Sequence, residues 1–244
     1  MQHKTITKHN FVSYVAFFLT CALLISLSEA LAVDFCVTDP NLPTGPEGNA
    51  CKNPSNVTVD DFIYTGLRTP GQTSIIFNNS INGAFVDSFP VLNGLGLSMA
   101  RLDFGVNGVI PMHSHPRVSE VLILAKGSII AGFIDTNDVA YYKKLQVGDV
   151  IIFPQGLLHF QVNVGESPAL AFVSLNNANP GIQITSTSLF VGKLPAKLVE
   201  KTTLFDHDQV IKLRKAFGKY SVLKISDLTG NEHSQRLSKS KFTR

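Results

Sequence analysis

Gly108-Val109-Ile110-Pro111-Met112-His113-Ser114-His115-Pro116-Arg117-Val118-Ser119-Glu120 is the stretch on which both fold and chemistry of this 244-residue chain turn. His113 and His115 are two residues apart, so on a strand both imidazoles face one side. Pro116 predicts a turn, after which Glu120 opens the next apolar run and can return to that side. A second stretch places His159 forty-four residues past His115: Gly148-Asp149-Val150-Ile151-Ile152-Phe153-Pro154-Gln155-Gly156-Leu157-Leu158-His159-Phe160-Gln161-Val162-Asn163. It predicts a strand, a tight turn at Pro154 and Gly156, and a second strand starting near His159. A lone H-x-H is equally well explained by polar residues in a turn. The full set is more telling, because three of the five histidines from residue 33 onward fall in these two stretches. Three neutral imidazoles and one carboxylate suit a borderline divalent metal (Mn, Fe, Co, Ni, Cu or Zn) better than the oxygen cages of Ca or Mg.

Around these stretches, short runs rich in Val, Ile, Leu, Phe and Thr occupy 97–104, 118–125, 128–134, 150–153, 160–164, 170–175 and 182–190, punctuated by Gly, Pro, Asn and Asp. Strands without intervening helices predict an all-β antiparallel sandwich or barrel rather than a doubly wound sheet. Phe104, Phe153 and Phe160 are expected in its core. Asn163, four residues after His159, is a candidate for lining the interior near the metal; a strand-end amide satisfied by backbone is the alternative.

The C-terminal part changes character. Pro195 followed by Lys197, Leu198, Val199 and Glu200 predicts a short helix, and Asp206 or Asp208 can cap another with Val210, Leu213 and Phe217 on one face. From Lys212 to Arg244 nine Lys/Arg face two Asp/Glu. This tail is either a solvated end or a contact for acidic wall polysaccharide or an anionic surface.

The N-terminus reads as a secretory signal peptide. Lys4 and Lys8 precede an apolar run at 11–27, and Ala30 and Ala32 offer a cleavage site, after Ala32 or alternatively after Ala30. No later stretch is long and apolar enough to span a bilayer. Removing residues 1–32 removes Cys21 and leaves Cys36 and Cys51, most simply a disulfide in an exported chain. Asn56 and Asn78 open N-x-S/T sequons and are candidate glycan sites. Only 16% of residues are charged and the net charge is +3, which gives no case for nucleic acid as a partner.

The two stretches resemble the metal boxes of the germins and germin-like proteins of plants, in the cupin superfamily. The resemblance extends to Asp34-Phe35-Cys36-Val37-Thr38-Asp39, Gly45-Pro46-Glu47-Gly48, Cys51-Lys52, Arg101-Leu102-Asp103-Phe104 and Asn179-Pro180-Gly181-Ile182-Gln183, reaching about residue 217. It implies a single cupin β jelly-roll barrel with short C-terminal α-helices, one Mn²⁺ per subunit, a homohexamer built as a trimer of dimers, and secretion to the apoplast. Carried over position by position, the metal ligands are His113, His115, Glu120 and His159, and the disulfide is Cys36–Cys51. The expected organisation is a signal at 1–32, a disulfide-closed extension at 33–60, the barrel at 61–192, helices at 193–228 and a basic disordered tail at 229–244.

Departures bear on the reaction. The oxalate-oxidising members carry one asparagine immediately before Arg-x-Asp-Phe and another three residues before the first metal histidine; both are linked to holding oxalate. Here those positions are Ala100 and Ile110, which cannot donate hydrogen bonds. Lys126-Gly127-Ser128 lacks the acidic third residue often found in the family's tripeptide, which weakens an adhesion role argued from it. The resemblance implies manganese superoxide dismutase-type activity on a small oxygen species, in defence or development. A non-enzymatic wall or receptor-like glycoprotein with a mainly structural metal is the alternative, and oxalate oxidase is demoted. Relatives are also described as auxin-binding or as nucleotide-sugar hydrolases, which no residue singles out.

Overall fold

In the computed structural model, residues 13–15, 17, 33–45 and 48–218 are described. The chain divides into two units, Met1–Asp34 and Phe35–Arg244; everything below concerns the second. The expected signal segment 1–32 lies almost wholly outside the described residues, as do the tail 229–244 and the last part of the helical region. No helix among the described residues is long and apolar enough to cross a membrane.

Two five-stranded antiparallel sheets face each other. One has the order β12-β5-β10-β7-β8 and the other β3-β4-β11-β6-β9. The strands are β3 (Asn79–Ala84), β4 (Ser98–Phe104), β5 (Val109–Ser114), β6 (Glu120–Lys126), β7 (Ile129–Ile134), β8 (Ala140–Leu145), β9 (Val150–Phe153), β10 (Leu158–Asn163), β11 (Ala169–Leu175) and β12 (Gln183–Ile184); β1 (Thr44–Gly45) and β2 (Gly48–Asn49) form a separate small pair. This is the expected jelly-roll architecture.

Alternation along each strand sends one set of side chains into the space between the sheets. In β4, Ser98, Ala100, Leu102 and Phe104 are buried. On its other face Arg101 and Asp103 join in a bidentate pair, both N–O distances 2.8 Å. In β6, Leu122 and Leu124 are buried while Val121 and Ile123 stay exposed. Burying each leucine contributes about 1.5–3 kcal/mol. The β6–β7 turn passes through Gly127 at φ +84°, where a Cβ would stand 2.7 Å from that of Ala169, so the turn needs glycine for both space and backbone.

The run expected as a strand over 182–190 is corrected. Only Gln183–Ile184 pairs with β5, and Thr185–Phe190 forms helix α1. Its Thr and Ser content reads locally as β, but Phe190 packs with Val199 and Val210, and burial of that ring outweighs propensity. Helices α2 (Ala196–Thr203) and α3 (His207–Gly218) follow where Pro195 and the aspartates predict them. Asp206 is the cap: its Oδ1 accepts from the Gln209 N–H (2.7 Å), and Gln209 Oε1 accepts from the Asp206 N–H (2.9 Å). Leu213 and Phe217 lie against this helical core.

Cys36 and Cys51 are bonded, with Cα atoms 5.0 Å apart. Their loop is stitched to the body by Thr38 N–H to the Pro90 carbonyl (3.1 Å) and Asn93 Nδ2 to the Asn49 carbonyl (2.9 Å). Closing a loop with a separation of 15 residues contributes about 3 kcal/mol in the chain-entropy model. We therefore predict that the Cys36→Ser/Cys51→Ser protein unfolds at clearly lower urea concentration than wild type, by about 3 kcal/mol on extrapolation. Coincident unfolding curves would show that the bond only decorates a loop already fixed.

Candidate metal centre

The four expected ligands come from three strands and one turn. His113 lies in β5 and His159 in β10, directly opposite each other in the ladder between those strands. His115 follows the end of β5, and Glu120 is the first residue of β6, in the other sheet. The cluster therefore bridges the two sheets. The sequence stretches that carry it are also tied to each other: Gly156 N–H donates to the His115 carbonyl (3.0 Å), and Gln155 Nε2 donates to the Pro116 carbonyl (2.9 Å).

All four side chains are buried, and their ligand atoms lie within 4.8 Å of one another. Each imidazole meets a backbone carbonyl through Nδ1: His113 at Pro111 (2.8 Å), His159 at Leu157 (2.9 Å) and His115 at Gly181. A carbonyl only accepts, so each Nδ1 carries the proton and each Nε2 lone pair is left for a cation. Glu120 Oε2 stands 3.1 Å from His115 Nε2 and 3.7 Å from His159 Nε2. His159 Nε2 is buried with no hydrogen-bond partner, a costly orphan unless something inside the barrel uses its lone pair.

Electrostatics agree with that donor set. Burial first, then the neighbouring His159 and His115, drives the His113 pKa down to about 3, although Glu120 pulls the other way. Burial acts to raise the Glu120 pKa, but hydrogen bonding and positive charge from His115 and His159 in their protonated forms outweigh it and hold the carboxyl at about 2; with both Nε2 atoms bare, a bound cation would take over that part. Neutral imidazole and ionised carboxylate are the forms that bind a metal. The observed donors thus fit one divalent cation of the borderline class.

His113, His115 and Glu120 open onto a cavity of about 340 Å³. Its walls are mainly apolar and include Ile81, Phe85, Ile110, Val173 and Leu175. Ala100 and Ile110, the positions read as lost amide donors, both line it and are buried. Asn163 does not meet the expectation of standing by the metal. Its amide donates to the Gly105 (2.8 Å) and Ser167 (2.9 Å) carbonyls and accepts from the Gly165 N–H (2.9 Å), and none of these lines the cavity. Two residues nearer to His159, Gln161 takes that place. It is 1% exposed, lines the cavity, and has both amide atoms without a hydrogen-bond partner. The period of two from His159 was the sequence signal for it. Asn56 is exposed on a 3₁₀ turn; Asn78 is also exposed, but its Nδ2 donates to the Val106 carbonyl (2.9 Å).

The cupin family model matches residues 65–211. The chain is 47% identical over 204 residues to germin-like protein subfamily 3 member 3 of Arabidopsis thaliana, covering 84% of this chain and 97% of that one. The chain is a germin-like protein of the cupin family. This germin-like chain is also 50% identical over 201 residues to auxin-binding protein ABP19b of Prunus persica, covering 82% of this chain and 96% of the relative. Among solved structures, an oxalate oxidase superposes with a TM-score of 0.75 at 32% identity, covering 78% of this chain and 98% of that one. The germin-like fold, with its buried three-histidine, one-glutamate metal-binding site, is therefore on firm ground; the reaction is a separate question.

Proposed function

We propose that this germin-like protein is a secreted, apoplastic manganese protein with superoxide dismutase-type activity and no oxalate oxidase activity, acting in defence or development. The carrying observation is the buried convergence of His113, His115, Glu120 and His159, the first three of which line a cavity. Manganese bound there supplies the one-electron redox chemistry that disproportionation of superoxide needs. The chain's own contribution is to hold three Nε2 lone pairs and one carboxylate toward a single point, with each Nδ1 proton fixed on a carbonyl. Apolar walls limit water around the site, and the Gln161 amide offers a donor and an acceptor to whatever enters. Ala100 and Ile110 offer oxalate no amide, which supports the second half of the proposal. The same reading makes the protein a homohexamer, a trimer of dimers, with glycans at the sequons; Asn56 suits one better than Asn78, whose amide is already engaged.

The test is a pair of assays on manganese-loaded protein. Superoxide dismutation that needs the metal, with no hydrogen peroxide released from oxalate, is the expected result. Manganese-loaded protein without dismutase activity would sink the first claim, and peroxide from oxalate the second.

A second reading is favoured by the cavity itself. A volume of about 340 Å³ far exceeds what a diatomic anion requires and falls in the roughly 300–1,000 Å³ range of small-molecule sites. In that reading the protein is a non-enzymatic receptor-like or wall glycoprotein, the metal an anchor for an organic carboxylate such as an auxin, in line with the name of the Prunus persica relative. Calorimetric titration with indole-3-acetic acid separates the two: saturable binding without dismutase activity favours this reading.

A further inference from the structure

A strap of backbone closes one side of the cavity: Asn179, Pro180, Gly181 and Ile182 all line it. Upstream the strap is anchored where the Ala178 carbonyl accepts from the Val86 N–H (2.9 Å). Downstream it is anchored where Gln183 and Ile184 pair with Ser114 and His113. Between these anchors, Asn179 takes two hydrogen bonds from Arg117. Arg117 Nε donates to the Asn179 carbonyl (2.8 Å) and Nη2 donates to Asn179 Oδ1 (3.0 Å). Two residues on, the Gly181 carbonyl accepts the Nδ1 proton of His115.

We propose that Arg117 is a positioning residue for the metal: its two-point clamp on Asn179 sets the Gly181 carbonyl that fixes the tautomer and orientation of His115. The inference rests on the reading of the four-residue cluster as a metal site. Its chemistry is that of partners behind a metal-ligating histidine, which fix the ring and govern affinity. The guanidinium suits the task because its rigid fork meets a main-chain and a side-chain oxygen of one residue through two separate nitrogens, whereas an ammonium has a single nitrogen on a flexible stem. Gly181 is fitted to the clamp. It sits at φ +64°, and a Cβ there would lie 2.7 Å from Arg117 Nη2. Arg117 is exposed and contributes little to the core, so its removal should disturb the strap more than the fold.

The test uses the full secreted chain, loaded with manganese, as wild type, Arg117→Ala, Arg117→Lys and Asn179→Ala. The readouts are the rate of manganese loss to excess chelator, the Mn(II) electron paramagnetic resonance spectrum, and thermal unfolding of the metal-free protein. Arg117→Ala is expected to lose metal about 10-fold faster or more with an altered spectrum, while metal-free unfolding stays unchanged. Arg117→Lys should rescue only partly, and Asn179→Ala, which loses one of two contacts, should show a smaller change of the same kind. If Arg117→Ala does not fold, Asn179→Ala carries the same two readouts. Metal loss and spectrum unchanged from wild type would overturn the proposal, as would faster loss matched by an equal drop in metal-free stability. Wild-type protein that binds no manganese would instead sink the metal reading beneath it.

Discussion

His113→Ala protein is expected to fold like wild type and to retain essentially no metal. The imidazole stands opposite His159 in the β5–β10 ladder and contributes one of only four ligand atoms. Changing groups behind a ligand lowers metal affinity by roughly 10–100-fold, and deleting a ligand costs more than that. The fold should survive, because the buried ring makes its hydrogen bond to Pro111 within its own strand and the apolar core of the barrel is left intact. The proposed superoxide dismutation should vanish with the metal. Circular dichroism and metal content measured on one sample check both halves. Metal retained at the wild-type level would remove His113 from the site.

The second large effect is expected at Phe153. This side chain closes β9, is almost fully buried in the main core, and stacks on His159 with ring centroids 4.5 Å apart and planes 18° from parallel. It therefore serves the barrel and the ligand together. Phe153→Ala should cost about 3–5 kcal/mol. That is a large part of the roughly 5–15 kcal/mol by which a domain is stable. It should also speed metal loss, since His159 loses the surface that holds its plane. Phe153→Leu keeps most of the volume and separates the two roles: stability falls much less, and metal loss still quickens. Denaturant unfolding and chelator competition are the measurements. Unchanged unfolding of Phe153→Ala would contradict its place in the core, and wild-type metal retention by both variants would contradict its role at His159.

Much of this was legible in the sequence because the decisive residues lie in short strands with strict alternation. β4, β6, β7, β9, β10 and β11 fall within a residue or two of their expected runs, and burial alternates most clearly along β4, β6, β10 and β11. β3 and β8 were missed for opposite reasons. Asn79-Ser80-Ile81-Asn82-Gly83-Ala84 has little β-forming character and is held by pairing with β4. Ala140-Tyr141-Tyr142-Lys143-Lys144-Leu145 is an edge strand exposed on nearly every residue, so no alternation marks it. The 182–190 run misled because its Thr-rich end folds as a helix only through packing of Phe190.

At the site, the histidine spacing located the ligands, but what supports them is non-local. The Gly181 carbonyl behind His115 comes from 66 residues away, and no spacing rule reaches it. On periodicity alone Asn163 and Gln161 share the face of His159. The Gly105 carbonyl of the β4–β5 turn, with a carbonyl and an N–H of the β10–β11 turn, decides between them by using up the Asn163 amide, leaving Gln161 to face the cavity.

Everything functional here depends on His113, His115, Glu120 and His159 holding one ion. Elemental analysis of the purified protein, beside its His113→Ala variant, tests that most directly. One manganese per chain in the wild type and none in the variant is the predicted result. A metal-free wild type, or manganese at equal levels in both, would contradict it.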